Sequence, residues 1–169
     1  PEMLDGRVKT LHPKIHGGIL AQKNNQKHIE TLEKNNIPQI DLVIVNLYPF
    51  EETITKPNCT LDLAIENIDI GGPTLIRAAA KNYKSITVLT NPNEYDYFSK
   101  VLVKHNGKIE EKYRFELAQN AFSHTAQYDN IISNYLSQNG KKIDFPKTLN
   151  QQMIKKMDMR YGENPHQKA

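Results

Sequence analysis

At 169 residues, 38% of them hydrophobic, the chain is long enough for one domain with a sizeable core, and its single cysteine excludes an internal disulfide. Its 22 basic and 19 acidic residues leave a net charge of +3 and a pI near 8.9, which suits an anionic small molecule; the basic residues are interspersed with acids and no base-stacking motif is present, which argues against nucleic acid. No apolar run approaches the ~20 residues needed to cross a bilayer, so no membrane span is expected, and Cys59 fits a reducing, cytoplasmic setting.

The chain opens on Pro1 and is at once dense in Gly, Arg, Lys and His, so it reads as an excerpt that begins inside a domain. In Gly6 to Gly18, Arg7 and Lys9 face one side of an extended segment and, with Thr10, can meet an oxyanion; a solvated basic loop is the alternative. His12 and His16 have the spacing of a helical metal pair. Pro13 between them and Gly17-Gly18 after them argue against a regular helix, and no Glu follows His12, so no metal site is expected. A surface helix is predicted over residues 25–35, with Ile29 and Leu32 on its apolar face.

Asp41 to Phe50 is the most apolar run and predicts a strand buried on both faces in a parallel sheet. Asn46 and Tyr48 fall at its carboxyl end, where open α/β sheets place ligands, and a spacing of two points both side chains one way. Residues 51–60 read as a polar connection, after which Thr60 caps a short helix through Ile65. Then comes Ile68-Asp69-Ile70-Gly71-Gly72-Pro73, an acid and two glycines ahead of a helix that runs to Lys81. Bare glycine backbone and the free N–H groups of a helix start favour an anion or developing negative charge; an ordinary loop-to-helix junction has the same local pattern.

Ser85 to Thr90 predicts a second buried strand, Asn91-Pro92-Asn93 a turn, and residues 94–104 a helix. Arg114 to Leu136 predicts a long helix with Phe115, Ala118, Phe122, Ala126, Ile132 and Leu136 as its apolar stripes. Ser123 and His124 are adjacent there and cannot face one another as a catalytic pair, so His124 is read as structural or interfacial. Gly140 ends that helix, a linker follows, and Met159 to Gln167 opens a new polar pattern too short to bury a core. Strands alternating with helices predict a three-layer α/β/α fold with a mainly parallel central sheet.

Six collinear motifs then converge: Gly-Arg-Val-Lys-Thr-Leu-His-Pro (6–13), Asn-Leu-Tyr-Pro-Phe (46–50), Ile-Asp-Ile-Gly-Gly-Pro (68–73), Arg-Ala-Ala-Ala-Lys-Asn (77–82), Phe-Ser-His-Thr-Ala-Gln-Tyr-Asp (122–129) and Arg-Tyr-Gly-Glu-Asn-Pro-His-Gln (160–167). In this order they closely resemble the bifunctional purine-biosynthesis enzymes that combine phosphoribosylaminoimidazolecarboxamide formyltransferase with IMP cyclohydrolase. The resemblance implies a methylglyoxal-synthase-like cyclohydrolase domain over residues 1–145, incomplete at its N-terminus, a linker over 146–157, and the start of the formyltransferase domain over 158–169. It implies the dehydrative ring closure of the formylated carboxamide ribotide FAICAR to IMP, without metal or organic cofactor, and a homodimer. Lys9, Tyr48, Asp69 and Lys81 match the family's catalytic positions. Arg7, Thr10, Asn46, Ile70, Gly71 and Gly72 match nucleotide contacts. Arg160 and Tyr161 match substrate contacts of the formyltransferase, whose cosubstrate is 10-formyltetrahydrofolate.

These residue types fit the reaction: Asp69 takes a proton from or orients the attacking nitrogen, N–H groups of Ile70 to Gly72 hold the formyl oxygen, and Lys9 with Tyr48 protonates that oxygen as it leaves. Lys81 stands apart, because an unbroken helix from Pro73 puts it about 12 Å along the axis at ~1.5 Å per residue; it is expected to reach the pocket by an altered helix path or across a dimer interface. The resembling proteins begin earlier, with a first strand and a Ser/Thr/Gly-rich phosphate loop, so this chain alone is expected to be weakly active or inactive. The competing reading is a non-catalytic nucleotide- or phosphate-binding regulatory domain of the same fold, which needs the glycines and basic residues but not Lys9, Tyr48 and Asp69 together.

Overall fold

A proline at the first helical position suits a helix start, since its missing N–H would have no partner there. In the computed structural model, which describes residues 2–139, 148–160, 162–164 and 166–167, Pro13 accordingly starts α1 (Pro13–Leu20), with the His12 imidazole accepting from the Lys14 N–H at 3.1 Å as its cap. The expectation that Pro13 and Gly17-Gly18 forbid a helix here is therefore corrected: the proline initiates the helix, and buried Gly18 sits inside it. Helix α2 (Gln26–Lys34) follows, capped by Asn25 and closed at Asn35 as predicted, with Leu32 buried.

The apolar run at Asp41 forms only a short strand, β1 (Leu42–Ile44). Val43 is buried, but Ile44 is 50% exposed, so burial on both faces is not met. Leu42 reaches the cluster of Leu89, Phe98 and Leu117; Ile44, two residues on along the same face, lies beyond what that cluster covers. Residues 51–60 are not a plain connection either, because α3 (Phe50–Ile54) begins there and Phe50 is 1% exposed. Thr60 caps α4 (Leu61–Glu66) as expected, its hydroxyl accepting from the Leu63 N–H at 3.2 Å.

Next comes α5 (Gly71–Lys81), then β2 (Thr87–Leu89), which pairs parallel with β1 in the register Val43 to Val88. A parallel neighbour needs a crossover, and α3 to α5 supply it. Strand β2 is buried on both faces: Val88 joins Ile19, Ile76 and Ala79, whereas Leu89 joins Phe98 of α6 (Tyr95–Lys104) and Leu117 of α7 (Glu111–Gln138). Helices thus cover both sides of a parallel pair, as expected of the α/β class. Ala78, Ala79 and Ala80 are all buried, and their small side chains let α5 press against both strands and α7.

Helix α7 is longer than predicted, and of the expected stripe only Ala118 is buried, with Ile132 packed against the Phe50 cluster. Leu117, Ala118, Ala121, Thr125 and Tyr128 are inside, while Phe115, Phe122 and Leu136 of the expected stripe are exposed. Tyr128 and Tyr135 make edge contacts with Phe50 at 6.3 and 5.7 Å between centroids, so α3 owes its buried start to the far half of α7. The buried Asn82 amide donates to the carbonyls of Ile19 and Ala21 at 2.8 and 2.9 Å, which fastens the end of α1 to the end of α5. Residues 148–157 carry no helix or strand, while Gly140, Tyr161 and the first residues of the expected linker lie outside the described residues.

Burial lowers the pKa of the half-buried His124 below the ordinary imidazole value. The unfolded chain therefore binds more protons than the folded one below about pH 6.5, so stability is full above that pH and falls as pH drops through the folded pKa. Urea midpoints measured between pH 7.5 and 5 are expected to decline, and His124→Gln to make the decline shallower.

Candidate active site

Asp69 sits in the turn that delivers the chain to α5, and its carboxylate is held by two backbone donors. Oδ1 accepts from the Gly72 N–H at 2.8 Å and Oδ2 from the Tyr48 N–H at 3.3 Å. The first bond is a helix cap; the second ties the α5 entrance to the segment after β1. A carboxylate offers about four lone-pair sites, so acceptor capacity remains. The Asp69 N–H in turn donates to the Tyr128 hydroxyl at 2.8 Å.

This arrangement decides which helix donors stay free. Gly72 spends its N–H on Asp69, Pro73 has none, and the N–H groups of Ile70 and Gly71 have no acceptor among the described residues. The expected donor set of Ile70 to Gly72 thus narrows to Ile70 and Gly71. A side chain at either glycine would force a neighbour to shift: a Cβ on Gly71 would lie 2.6 Å from Thr10 Oγ1, and one on Gly72 2.5 Å from Asp69 Oδ2 and 2.7 Å from Leu47 Cδ2.

Opposite this entrance lies the N-terminal hairpin. Leu4 and Asp5 adopt left-handed φ of 55° and 53°, and Met3 and Val8 exchange backbone hydrogen bonds at 3.0 and 3.2 Å. The reversal carries Arg7, Lys9 and Thr10 to a cavity of ≈ 590 Å³ that Tyr48, Asp69 and the Ile70-Gly71-Gly72 backbone also line. That volume suits a small-molecule ligand. Arg7 is already engaged there, its Nε and Nη2 donating to Glu66 of α4 at 3.3 and 2.5 Å. The hydrogen bond and charge of Arg7 hold the Glu66 carboxyl below the usual range, and Glu66 raises Arg7 in return. Three of the five guanidinium N–H groups remain for an anion. Lys9 has a looser partner, Glu2, at 3.5 Å.

Three of the four candidate catalytic residues therefore share one cavity, and Lys81 does not. Helix α5 is unbroken, so at ~1.5 Å per residue its last residue lies ~15 Å from Gly71. Lys81 instead lines a groove of ≈ 530 Å³ with Arg77, Phe115 and Phe122, which removes the altered helix path. Asn46 also departs from expectation. Residues 45–49 are not strand, so the alternation that would aim Asn46 with Tyr48 is lost, and Asn46 Oδ1 accepts from the Tyr95 hydroxyl at 2.7 Å. Arg160 is exposed in the C-terminal tail and Tyr161 lies outside the described residues. Among the described residues no group of three or more His, Cys, Asp or Glu is placed to hold a metal. His12 is spent on capping α1, and His16 Nε2 is shielded with no hydrogen-bond partner among the described residues.

Sequence reasoning missed Glu66 and Tyr128. Glu66 carries no local signal, because its partner is 59 residues away. Tyr128 carries one: it follows Ala121 and Thr125 at helical spacing on the buried face of α7.

The MGS-like domain profile matches residues 1–74, and that of the AICARFT/IMPCHase bienzyme matches residues 79–169. A protein of Neisseria meningitidis serogroup A called bifunctional purine biosynthesis protein PurH is 55% identical over the whole chain, and one of the same name from Thermoanaerobacter sp. is 57% identical. The chain spans about a third of the length of these relatives, 33% in both cases. The crystal structure of ForH superposes with a TM-score of 0.74 at 34% identity, over 83% of this chain and 71% of that one.

Gly72→Ala forces Asp69 or Leu47 to move. A loss of about 1–3 kcal/mol is expected in urea unfolding, with the Asp69 carboxylate displaced from the Tyr48 N–H; unchanged stability would contradict the close approach.

Proposed function

The chain belongs to the AICARFT/IMPCHase bienzyme family, and from that membership we propose that it performs the IMP cyclohydrolase step, the dehydrative closure of FAICAR to IMP. The observation that carries the proposal is the Asp69 carboxylate beside the N–H groups of Ile70 and Gly71, which have no acceptor among the described residues, in a cavity shared with Lys9 and Tyr48.

The carboxamide nitrogen of FAICAR attacks the formyl carbon, and a C–N bond forms. That nitrogen gives up one proton, the formamido nitrogen gives up another, and the formyl oxygen leaves with both as water. Asp69 has lone pairs left to orient the carboxamide and take its proton. The Ile70 and Gly71 N–H groups face the oxygen on which negative charge develops, where the helix start favours it. Lys9, with Tyr48 beside it, protonates the departing oxygen. Arg7, Thr10 and the glycine backbone bind the ribotide, whereas the Asn46 oxygen accepts from the Tyr95 hydroxyl and neither of these two residues lines the cavity. Ring closure consumes no cofactor, whereas 10-formyltetrahydrofolate serves the formyltransferase of the longer protein, for which Arg160 and Tyr161 supply substrate contacts.

The domain organisation proposed is cyclohydrolase over 1–145, linker over 146–157 and formyltransferase start over 158–169, in a cytoplasmic homodimer. Exposed Phe115 and Phe122 on α7 support the dimer, and contact across it is the remaining route by which Lys81 joins the reaction. No helix among the described residues is long and apolar enough to cross a membrane.

One observation favours the non-catalytic nucleotide-binding reading: half of the acceptor capacity of Asp69 serves the fold. Asp69→Asn separates the two, because the amide oxygen still caps α5 while the base is lost, together with the acceptor of the Tyr48 N–H. Turnover of FAICAR to IMP, followed by ultraviolet absorbance, is expected to fall about 10²- to 10⁴-fold, with IMP affinity retained. Unchanged turnover would take Asp69 out of the chemistry, whereas IMP binding without FAICAR turnover in a full-length chain before any substitution would favour the binding module.

A further inference from the structure

The Phe-Ser-His-Thr-Ala-Gln-Tyr-Asp stretch of α7 has no part in the chemistry above, yet one of its side chains touches the site. Tyr128 is 7% exposed, and its ring is held edge-on against Phe50. Its hydroxyl is the acceptor for the Asp69 N–H at 2.8 Å. The carboxylate of Asp69 is fixed separately by Gly72 and Tyr48. Asp69 is thus held from three segments of the chain, the α5 entrance, the segment after β1 and α7. Only the α7 hold depends on a side chain that a conservative substitution can delete.

A phenylalanine would fill the same space against Phe50, so packing does not require the hydroxyl. Without it the Asp69 N–H would lose its acceptor in a part-buried setting, a loss that costs free energy and that a small rotation of the Asp69 peptide would relieve. That rotation would turn the carboxylate and move the neighbouring Ile70 N–H together. Burial also raises the Tyr128 pKa, so the group stays a neutral phenol across the physiological range and keeps its lone pairs as an acceptor for an N–H.

We propose that Tyr128 is a positioning residue of the ring-closing site, acting through the backbone of Asp69 and not by contact with the substrate. The proposal rests on the reading of Asp69 as part of that site. It adds α7 to the machinery: the long helix sets the angle at which the α5 entrance presents its carboxylate and free donors.

The test is Tyr128→Phe, alone and combined with Asp69→Asn, in a chain completed to the full length of its relatives. Alone, kcat for FAICAR closure is expected to fall about ten- to a hundredfold, in keeping with the sensitivity of reacting geometry to displacements near 1 Å. KM is expected to change less than threefold, and the Asp69 amide to exchange with deuterium faster while the Val88 and Ala121 amides do not. In the Asp69→Asn background the same change is expected to add no further loss, because both act through one group. Unchanged kcat, multiplicative losses in the double variant, or exchange that quickens uniformly across the core would each overturn the proposal. A protein of the relatives' full length that, before any substitution, neither closes FAICAR nor binds IMP would instead overturn the reading of the site, and this inference with it.

Discussion

The Asp69 carboxylate is the constraint on which the site depends. It stands where two requirements meet, the need of α5 for a cap and the need of the segment after β1 for an anchor, and it meets them with one oxygen each. A cap of this kind contributes about 0.5–2 kcal/mol, and a charged acceptor strengthens its bonds. The consequence for the pocket exceeds the energy. Because Gly72 donates inward to Asp69, the two N–H groups before it are the ones left to a ligand, and because Tyr48 donates to the same carboxylate, its ring is carried to the same wall.

Around that carboxylate the fold supplies rigid walls. The alanines of α5 bring the helix close to the sheet, Asn82 fastens the end of α5 to the end of α1, and the Arg114 guanidinium donates to the carbonyls of Tyr83 and Lys84 at 2.8 and 2.9 Å just beyond the helix. The entrance of α5 is therefore steadied from its far end. The hairpin bearing Arg7 and Lys9 is anchored more lightly, by the exposed pair of Arg7 with Glu66, which contributes little to stability and sets orientation instead. A rigid entrance facing a lightly held basic arm suits a site in which the reacting group must be placed more narrowly than the phosphate.

Much of this was legible in the sequence where the signal is local. Strand β2, helix α2, the Thr60 cap and the long helix α7 follow from apolar period and capping chemistry, and Asp69 with its glycines marks the helix entrance. The failures share one cause, contact between distant segments. Pro13 is both a helix starter and a helix breaker, and only the His12 cap decides between them. Phe50 looks like the end of a strand until Tyr128 and Tyr135 bury it. Asn46 is claimed by Tyr95, Arg7 by Glu66, and the exposed faces of Phe115 and Phe122 show that an apolar period alone does not say which face a helix buries. Lys81 ends the helix that Asp69 leads into, yet that intact helix holds it away from the cavity.

The central claim, that a ligand oxygen sits on the Ile70 and Gly71 N–H groups beside Asp69, is tested most directly by titrating the ¹⁵N-labelled chain with IMP and following the amide resonances. The Ile70 and Gly71 signals are expected to move most and shift downfield, with Gly72 changing little because its N–H already serves Asp69. Shifts concentrated at Lys81, Phe115 and Phe122, with Ile70 and Gly71 unmoved, would contradict it.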